Sequence, residues 1–251
     1  MGLKSLFSKE GRKERSVAKA CAKAINPKLK PDDRRPALQL LIDTGSDEAV
    51  TALLGRFEYN YDTNMVSDEE EKNFVYKGLL SLGERILPAL REHLRAAETL
   101  SWGLRLATDI CDKETLWQVL QGVIEHHEPG YDRDPTRKQQ LISALGDYDD
   151  PRCVDALIPY LQDHDEGVRF MTVEGLLRLG DEKAREPLLD LFINEDEESL
   201  RLKNRIAEGF VQTGWVVRGY RGTVEKALGE EYHLDGKGRI KHKQKRTGGR
   251  K

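Results

Sequence analysis

Two adjacent histidines beside carboxylates, His126 and His127, come nearest to a chemical site in this chain of 251 residues. They lie in the segment 125–135, EHHEPGYDRDP, and His together with Asp or Glu can bind divalent metals. Adjacent side chains on a helix point about 100° apart, so the two rings are poorly placed to chelate one ion. No spaced pair of histidines supports them. We therefore predict a solvated, slightly acidic loop, with no metal, no cofactor and no catalytic residue.

The strongest structural signal is a helical hairpin that repeats in the second half of the chain. Apolar residues recur at helical spacing and are followed by Gly180, as at a helix end that needs positive φ. Asp181 then suits the start of the next helix, because its carboxylate can cap free N–H groups. The preceding copy has Gly146 and Asp150 in the matching places, 34 and 31 residues earlier. Such a period is typical of a solenoid of helical hairpins.

Two less regular copies of this hairpin lie earlier in the sequence. Residues 44–54, TGSDEAVTALL, align without a gap to residues 179–189, LGDEKAREPLL. Residues 82–90, LGERILPAL, form a slightly contracted copy. Each hairpin is too small to bury its apolar face alone, so neighbouring hairpins must stack to close a shared core.

These copies resemble HEAT repeats, specifically the bacterial type related to phycobilisome-lyase repeats. The resemblance covers residues 34–228 and rests on the LGD turns, the helix opening 165–169 (DEGVR), and second-helix prolines at Pro88, Pro159 and Pro187. In that family, recurrent Asp and Arg residues near the turns form a ladder between repeats, and Asp165 and Arg169 match it best. HEAT arrays serve many unrelated roles, so the resemblance implies a fold rather than an activity.

The sequence therefore predicts an all-α fold, a right-handed α-α superhelix of the HEAT-like solenoid type with about six helix pairs. Residues 1–31 are predicted to be a basic segment with a capping helix, residues 32–228 the solenoid, and residues 229–251 a small β-hairpin with a basic disordered tail. The hairpin prediction rests on alternating polar and apolar residues around Asp235-Gly236.

Charge is distributed unevenly along the chain. Residues 1–36 contain 11 basic and 4 acidic residues, and residues 229–251 contain 8 basic and 3 acidic residues. The part between them contains 22 basic and 37 acidic residues and is therefore acidic. An acidic body repels a phosphate backbone, so nucleic acid is not expected along the solenoid, and only the basic tail could touch polyanions weakly. A protein partner with a basic or mixed-charge segment is favoured instead.

The N-terminal segment has two interpretations. A small apolar patch comes first. The residue pattern that follows predicts a helix with these residues on its apolar face: Val17, Ala20, Cys21, Ala24 and Ile25. This helix could cap the first repeat or touch an anionic membrane surface, and its short, alanine-rich face favours the cap. No apolar run is long enough to span a membrane, no secretory leader is visible, and the three cysteines are far apart. We expect a cytoplasmic monomer with free thiols.

Candidate partner-binding residues are aromatic residues and one arginine near insertions and helix ends: Tyr59, Tyr61, Trp102, Tyr131, Arg169 and Tyr220. Tyr59 and Tyr61 belong to the polar insertion 58–64, and Tyr131 to the loop 125–135. Such loops lie on one face of a solenoid and often carry contacts. The alternative for the tyrosines and for Trp102 is packing between neighbouring helices.

We expect a non-catalytic adaptor that binds a partner segment along the solenoid groove. Two alternatives come from family analogy. HEAT-like DNA glycosylases carry a Trp followed one turn later by an Asp within a basic groove, whereas Leu106, Gln121 and Gly219 follow the three tryptophans here. Helpers of protein modification that resemble bilin lyases share the repeat type, but nothing in this sequence specifies a tetrapyrrole pocket.

Overall fold

The computed structural model describes residues 9–60 and 65–243, and the chain divides between His126 and His127 into two compact units. The candidate residue Tyr61 and the tail from residue 244 onward lie outside the described residues. None of the helices in the described parts of the chain is both long and apolar enough to cross a membrane.

The first unit begins with a helix, α1, which packs on the two helices that follow it. Three helical hairpins then succeed one another. The helices are α1 (Lys9–Ala24), α2 (Pro31–Thr44), α3 (Asp47–Leu54), α4 (Met65–Leu82), α5 (Leu87–Ala96), α6 (Ser101–Ile110) and α7 (Lys113–Ile124).

The second unit has three further hairpins and a β-hairpin. The helices are α8 (Thr136–Asp147), α9 (Arg152–Leu157), α10 (Glu166–Leu179), α11 (Arg185–Ile193), α12 (Leu200–Thr213) and α13 (Arg221–Ala227). Strand β1 (Tyr232–Leu234) pairs antiparallel with β2 (Ile240–His242), and Leu234 lies opposite Ile240. Tyr232 and Ile240 are buried, and β2 packs on α12.

Each unit is a two-layer stack. In the first unit, the first helices of successive hairpins pack on one another (α2, α4, α6), and so do the second helices (α3, α5, α7). In the second unit α10 packs between α8 and α12 in the same way, and α11 packs on α13. Leucine, isoleucine and valine side chains from both layers are buried between them. The predicted all-α, HEAT-like fold with its C-terminal β-hairpin is confirmed.

The two predicted turns at Gly45 and Gly180 have the expected backbone. Their φ angles are 57° and 66°, in the left-handed region where glycine avoids the clash that a Cβ atom would make. Ser46 accepts a hydrogen bond from the N–H of Ala49 in α3, and Asp181 accepts one from the N–H of Lys183 in the short 3₁₀ turn that precedes α11. The chain therefore reverses twice by the same local chemistry.

Gly83, in the contracted copy, also has a positive φ of 61°, whereas the predicted turn at Gly146 is wrong. Gly146 lies inside α8 and faces Gly175 of α10, and a Cβ atom on Gly146 would lie 2.8 Å from the Cα of Gly175. The glycine is needed for the close approach of two helices rather than for a turn. Asp150 still begins the next helix, since its carboxylate accepts a hydrogen bond from the N–H of Arg152.

Candidate functional site

A groove of about 940 Å³ lies within the first unit, where α1, α3 and α5 adjoin. Alanines supply much of its lining: Ala18, Ala52, Ala89 and Ala96. Because their side chains are single methyl groups, another chain segment can approach these helices closely. Ile25 follows α1 and adds a larger apolar side chain, which is 51% exposed. We call this feature the first-unit groove.

Carboxylates surround this apolar lining. Asp47 and Glu48 open α3, where a negative charge is stabilised by the positive end of the helix dipole. Glu58 follows α3, and Glu92 lies in α5. The described residues that line the groove include neither Lys nor Arg. Glu92 pairs with Arg95, which does not line the groove, so the groove combines an apolar surface with an excess of carboxylates among its lining residues.

One histidine lies in the wall of the groove, next to a carboxylate. The Nε2 atom of His93 is 3.2 Å from Oε1 of Glu58, while Oε2 of Glu58 accepts a hydrogen bond of 2.6 Å from the N–H of Glu98. Burial lowers the pKa of His93 to about 4 and raises the pKa of Glu58. His93 is therefore neutral at pH 7 and does not offset the negative charge of the groove.

A thiol also lines the groove. Cys21 is half-buried, and its Sγ atom lies 3.7 Å from the main-chain oxygen of Glu48, to which it donates a weak hydrogen bond. Burial, followed by the charge of Glu48, raises the pKa of Cys21. The group therefore stays a protonated thiol at pH 7, which is a poor nucleophile.

The candidate residue Tyr59 is half-buried between charged side chains. Its hydroxyl donates a hydrogen bond of 2.6 Å to the main-chain oxygen of Ala24, and the guanidinium of Arg56 lies 4.4 Å from the centre of its ring. Tyr59 thus joins the end of α1 to the segment that follows α3.

Arg56 belongs to a buried cluster of charges that joins the first two hairpins. Arg34 of α2 donates a hydrogen bond of 2.8 Å to Glu71 of α4, and Arg56 donates to both Glu71 and Asp68. Both arginine side chains are fully buried, and Glu71 is 3% exposed. Sequence patterns missed this cluster, because its partners are separated by up to 37 residues.

Trp102 packs between hairpins. Its ring stacks on Phe57 with 5.2 Å between ring centres and 4° between ring planes, and it also meets Tyr76 at 5.8 Å. One part of Trp102 reaches a second cleft of about 550 Å³, which Tyr59 also lines. These two candidate residues therefore share a cleft, but neither lines the first-unit groove.

In the second unit, Tyr131 is the most exposed candidate, at 81%. It lies edge-on to His164, with 6.5 Å between ring centres. The N–H of the preceding residue, Gly130, donates to Asp163, which holds the loop against the next hairpin. His127 is buried in the same loop, whereas His126 is exposed. Among the described residues, no group of three or more His, Cys, Asp or Glu side chains is arranged to hold a metal ion.

Arg169 joins the last two helical hairpins. It donates a hydrogen bond of 2.8 Å to Glu197 and a second one to the main-chain oxygen of Asp163. One hairpin earlier, Lys138 pairs with Asp163 at 2.9 Å. These steps form a ladder, but Asp165 has another role, because its carboxylate caps α10 through the N–H of Val168.

Tyr220 lies just before α13 and is half-buried. A hydrogen bond to Asp190 of α11 is the main reason that the pKa of Tyr220 is raised. The structure therefore gives Tyr220 a contact within the second unit. None of the described candidates lines the first-unit groove, which the sequence signals only through its alanines and through the acidic start of α3.

A family model for HEAT repeats matches residues 113–206. The match extends from the start of α7 into α12 and includes the clearest repeat copies of the sequence. No match is found among curated proteins. The relation to the phycobilisome-lyase type of repeat stays a prediction.

Proposed function

Because the chain is a HEAT-repeat protein, we propose that it is a non-catalytic adaptor that binds a segment of a partner protein in the first-unit groove. HEAT repeats commonly mediate interactions between proteins. We further propose that it acts as a cytoplasmic monomer, an inference that its three free cysteines favour.

The chemistry of the first-unit groove is the observation that carries this proposal. Its alanines accept an apolar stripe, such as the anchors at i, i+3, i+4 and i+7 of an amphipathic helix. Its exposed carboxylates at the start of α3, Asp47 and Glu48, favour Lys and Arg beside that stripe. Such complementary charge raises the association rate and rejects acidic competitors. The same charge disfavours a nucleic acid in this groove.

The titratable groups of the groove support binding rather than catalysis. His93 and Cys21 are held in their neutral forms, and Cys21 donates its weak hydrogen bond to a main-chain oxygen. Cys21 thus donates to a main-chain oxygen rather than to a base that would activate it as a nucleophile, while Nε2 of His93 faces Glu58. The exposed Asp47 and Glu48 are left as charged groups that attract a basic ligand.

Cross-linking mass spectrometry from lysate tests this proposal. We expect cross-links from the partner to fall on α1, α3 and α5, and to disappear when the groove charge is reversed by Glu48→Lys with Glu92→Lys. The matched control reverses two exposed carboxylates of the same unit that do not line the groove, by Glu70→Lys with Glu84→Lys. Partner cross-links that avoid these three helices would show the proposed site to be wrong.

A further inference from the structure

A row of basic side chains runs along one side of α1. Its members are spaced three, four and four residues apart, and this spacing places them on one side of a helix. They are Arg12, Arg15, Lys19 and Lys23, all of them exposed. At about 100° per residue, the two glutamates of α1 lie on the opposite side of the helix. We call these four residues the basic row.

The apolar side of α1 is already used within the first unit. Val17 and Ala24 are buried where α1 packs on α2 and α3. While α1 stays packed, this apolar side cannot insert into a bilayer. The part of α1 that remains available to a large ligand is therefore charged.

The basic row differs from the exposed basic residues of the second unit. There, Lys183 pairs with Asp155 at 2.9 Å. Lys19 and Lys23, by contrast, form no ion pair within the described parts of the chain. Arg15, Lys19 and Lys23 also follow one another at four-residue spacing, and like charges at that spacing destabilise a helix. An anionic ligand would relieve this repulsion.

We propose that the basic row binds the surface of a bilayer of anionic phospholipids, by charge attraction and without insertion. Clusters of Lys and Arg on a helix are attracted to such surfaces, and each basic residue contributes about fivefold to the partition coefficient. The inference does not depend on the proposed function, because no residue of the basic row lines the first-unit groove.

The arrangement of the first unit favours a flat anionic surface. Because α1 packs on α2 and α3 through its apolar side, a plane laid against the basic row meets α1 before those two helices. Packed helix axes are about 8 to 10 Å apart, which is close to the Debye length at about 0.1 M salt. Salt therefore screens the bilayer from the charges of α2 and α3.

A nucleic acid fits this arrangement less well. The basic row spans about 16 Å, so a longer polyanion would continue past it onto the neighbouring helices. The exposed ionisable residues of α2 and α3 comprise one base and five acids, which are Arg35, Asp32, Asp33, Asp43, Asp47 and Glu48. These acids repel a phosphate backbone. The basic row also has no aromatic side chain on which a base could stack.

Cosedimentation of the full-length protein with vesicles tests this inference, at about 0.1 M NaCl. The vesicles contain equal parts of phosphatidylglycerol and phosphatidylcholine. We expect Lys19→Gln with Lys23→Gln to lower the partition coefficient about twentyfold. The matched control, Lys77→Gln with Lys226→Gln, has the same net charge and changes two exposed lysines outside α1. It should stay within about twofold of the wild type, because these lysines lie away from the bilayer.

A charge-retaining variant, Lys19→Arg with Lys23→Arg, should bind the vesicles like the wild type. A loss of binding in this variant as well would show that positive charge is not what binds, and the inference would be wrong. Three further results would overturn it: no binding of the wild type, equal binding of the wild type and the Lys19→Gln, Lys23→Gln variant, or equal binding to vesicles of phosphatidylcholine alone. A DNA duplex that binds as tightly as the vesicles, with the same loss in that variant, would assign the basic row to nucleic acid instead.

Discussion

Acidic side chains have different roles in the two units of this protein. In the first unit, Glu71 is buried between two arginines, whereas Glu48 and Glu92 stand in a groove that has no Lys or Arg among its described lining residues. In the second unit, acids serve mainly as steps of a ladder, such as Asp163 with Lys138 and Glu197 with Arg169. Paired charges thus join hairpins in both units. In the groove, Glu92 pairs with Arg95, and the exposed Asp47 and Glu48 are available to a ligand.

The difference shows why charge composition alone does not locate a binding surface. A buried charge must have a partner, because its desolvation costs several kcal/mol. An exposed carboxylate stays hydrated, so it needs no partner within the protein and can interact with a ligand. Burial and pairing, rather than the number of acids, separate the two roles here. Four variants, each with a matched control, test how buried and exposed groups contribute to the stability of the two units.

Removing the shared acid of the first unit should have the largest effect. Glu71→Gln removes the negative charge that faces Arg34 and Arg56, so the free energy of unfolding should fall by about 3 to 5 kcal/mol. Urea denaturation monitored by circular dichroism measures it. The exposed neighbour changed by Glu70→Gln is the control and should stay within about 0.5 kcal/mol of the wild type. Equal effects of the two variants would contradict the distinction between buried and exposed acids.

The buried histidine should make stability depend on pH. The pKa of His93 is lowered to about 4 in the folded protein. Between about pH 6.5 and pH 4, His93 is therefore protonated in the unfolded chain but neutral in the folded one. Stability should therefore fall by up to about 3 kcal/mol as the pH falls through this range.

His93→Gln should flatten this dependence in urea denaturation at pH 7.5 and pH 5, and His126→Gln, at an exposed position, serves as the control. The raised pKa of Glu58 acts in the opposite direction, because a folded state that binds a proton more readily is stabilised as the pH falls. The difference between His93→Gln and wild type therefore isolates the imidazole. An unchanged slope would show that His93 does not cause the effect.

The glycine pair of the second unit offers a test by packing. Gly146→Ala places a methyl group 2.8 Å from the Cα of Gly175, so we expect a loss of about 1 to 3 kcal/mol despite the better helix propensity of alanine. Gly122→Ala in α7 meets no atom within 4 Å and should be neutral or stabilising by up to about 1 kcal/mol. Thermal unfolding of both variants measures the difference, and an effect of the same sign would contradict the close approach of α8 and α10.

The ladder should give the smallest effect. Arg169→Ala removes a partly buried pair with Glu197, at an expected cost of about 1 to 2 kcal/mol. Lys183→Ala removes an exposed pair with Asp155, and we expect no measurable change in stability. Chemical denaturation of the two variants compares a ladder step with a surface ion pair. Similar losses in the free energy of unfolding would show that the Arg169 pair stabilises the fold no more than a surface ion pair does.

Local chemistry was the part of the fold that the sequence could predict. The turns at Gly45 and Gly180 depend on one backbone angle and one capping side chain, both of which are properties of adjacent residues. Gly146 shows the limit, because the same residue type serves a contact with a glycine 29 positions away. Pattern alone does not distinguish a glycine at a turn from a glycine at a helix crossing.

The candidate site was harder to predict, for the same reason. Arg169 was correctly placed in a ladder, but its acidic partner is Glu197, which is 28 residues away, while Asp165 caps its own helix. The first-unit groove arises where three helices meet, and they contribute mainly alanines and acids, together with Cys21, Ile25 and His93. No one of these residues is unusual in the sequence, so the groove becomes visible only when the helices are packed.

The β-hairpin at the end of the second unit has a consequence for assembly. A stack of hairpins that ended at α12 and α13 would offer its last apolar layer to any similar surface, and head-to-tail association of that kind builds open filaments. Strand β2 packs on α12, Tyr232 and Ile240 are buried, and the Tyr232 hydroxyl lies 3.3 Å from Glu208 of that helix. The hairpin thus covers this side of α12 with a different kind of secondary structure from the repeats, and a further helical hairpin could not pack in the same place.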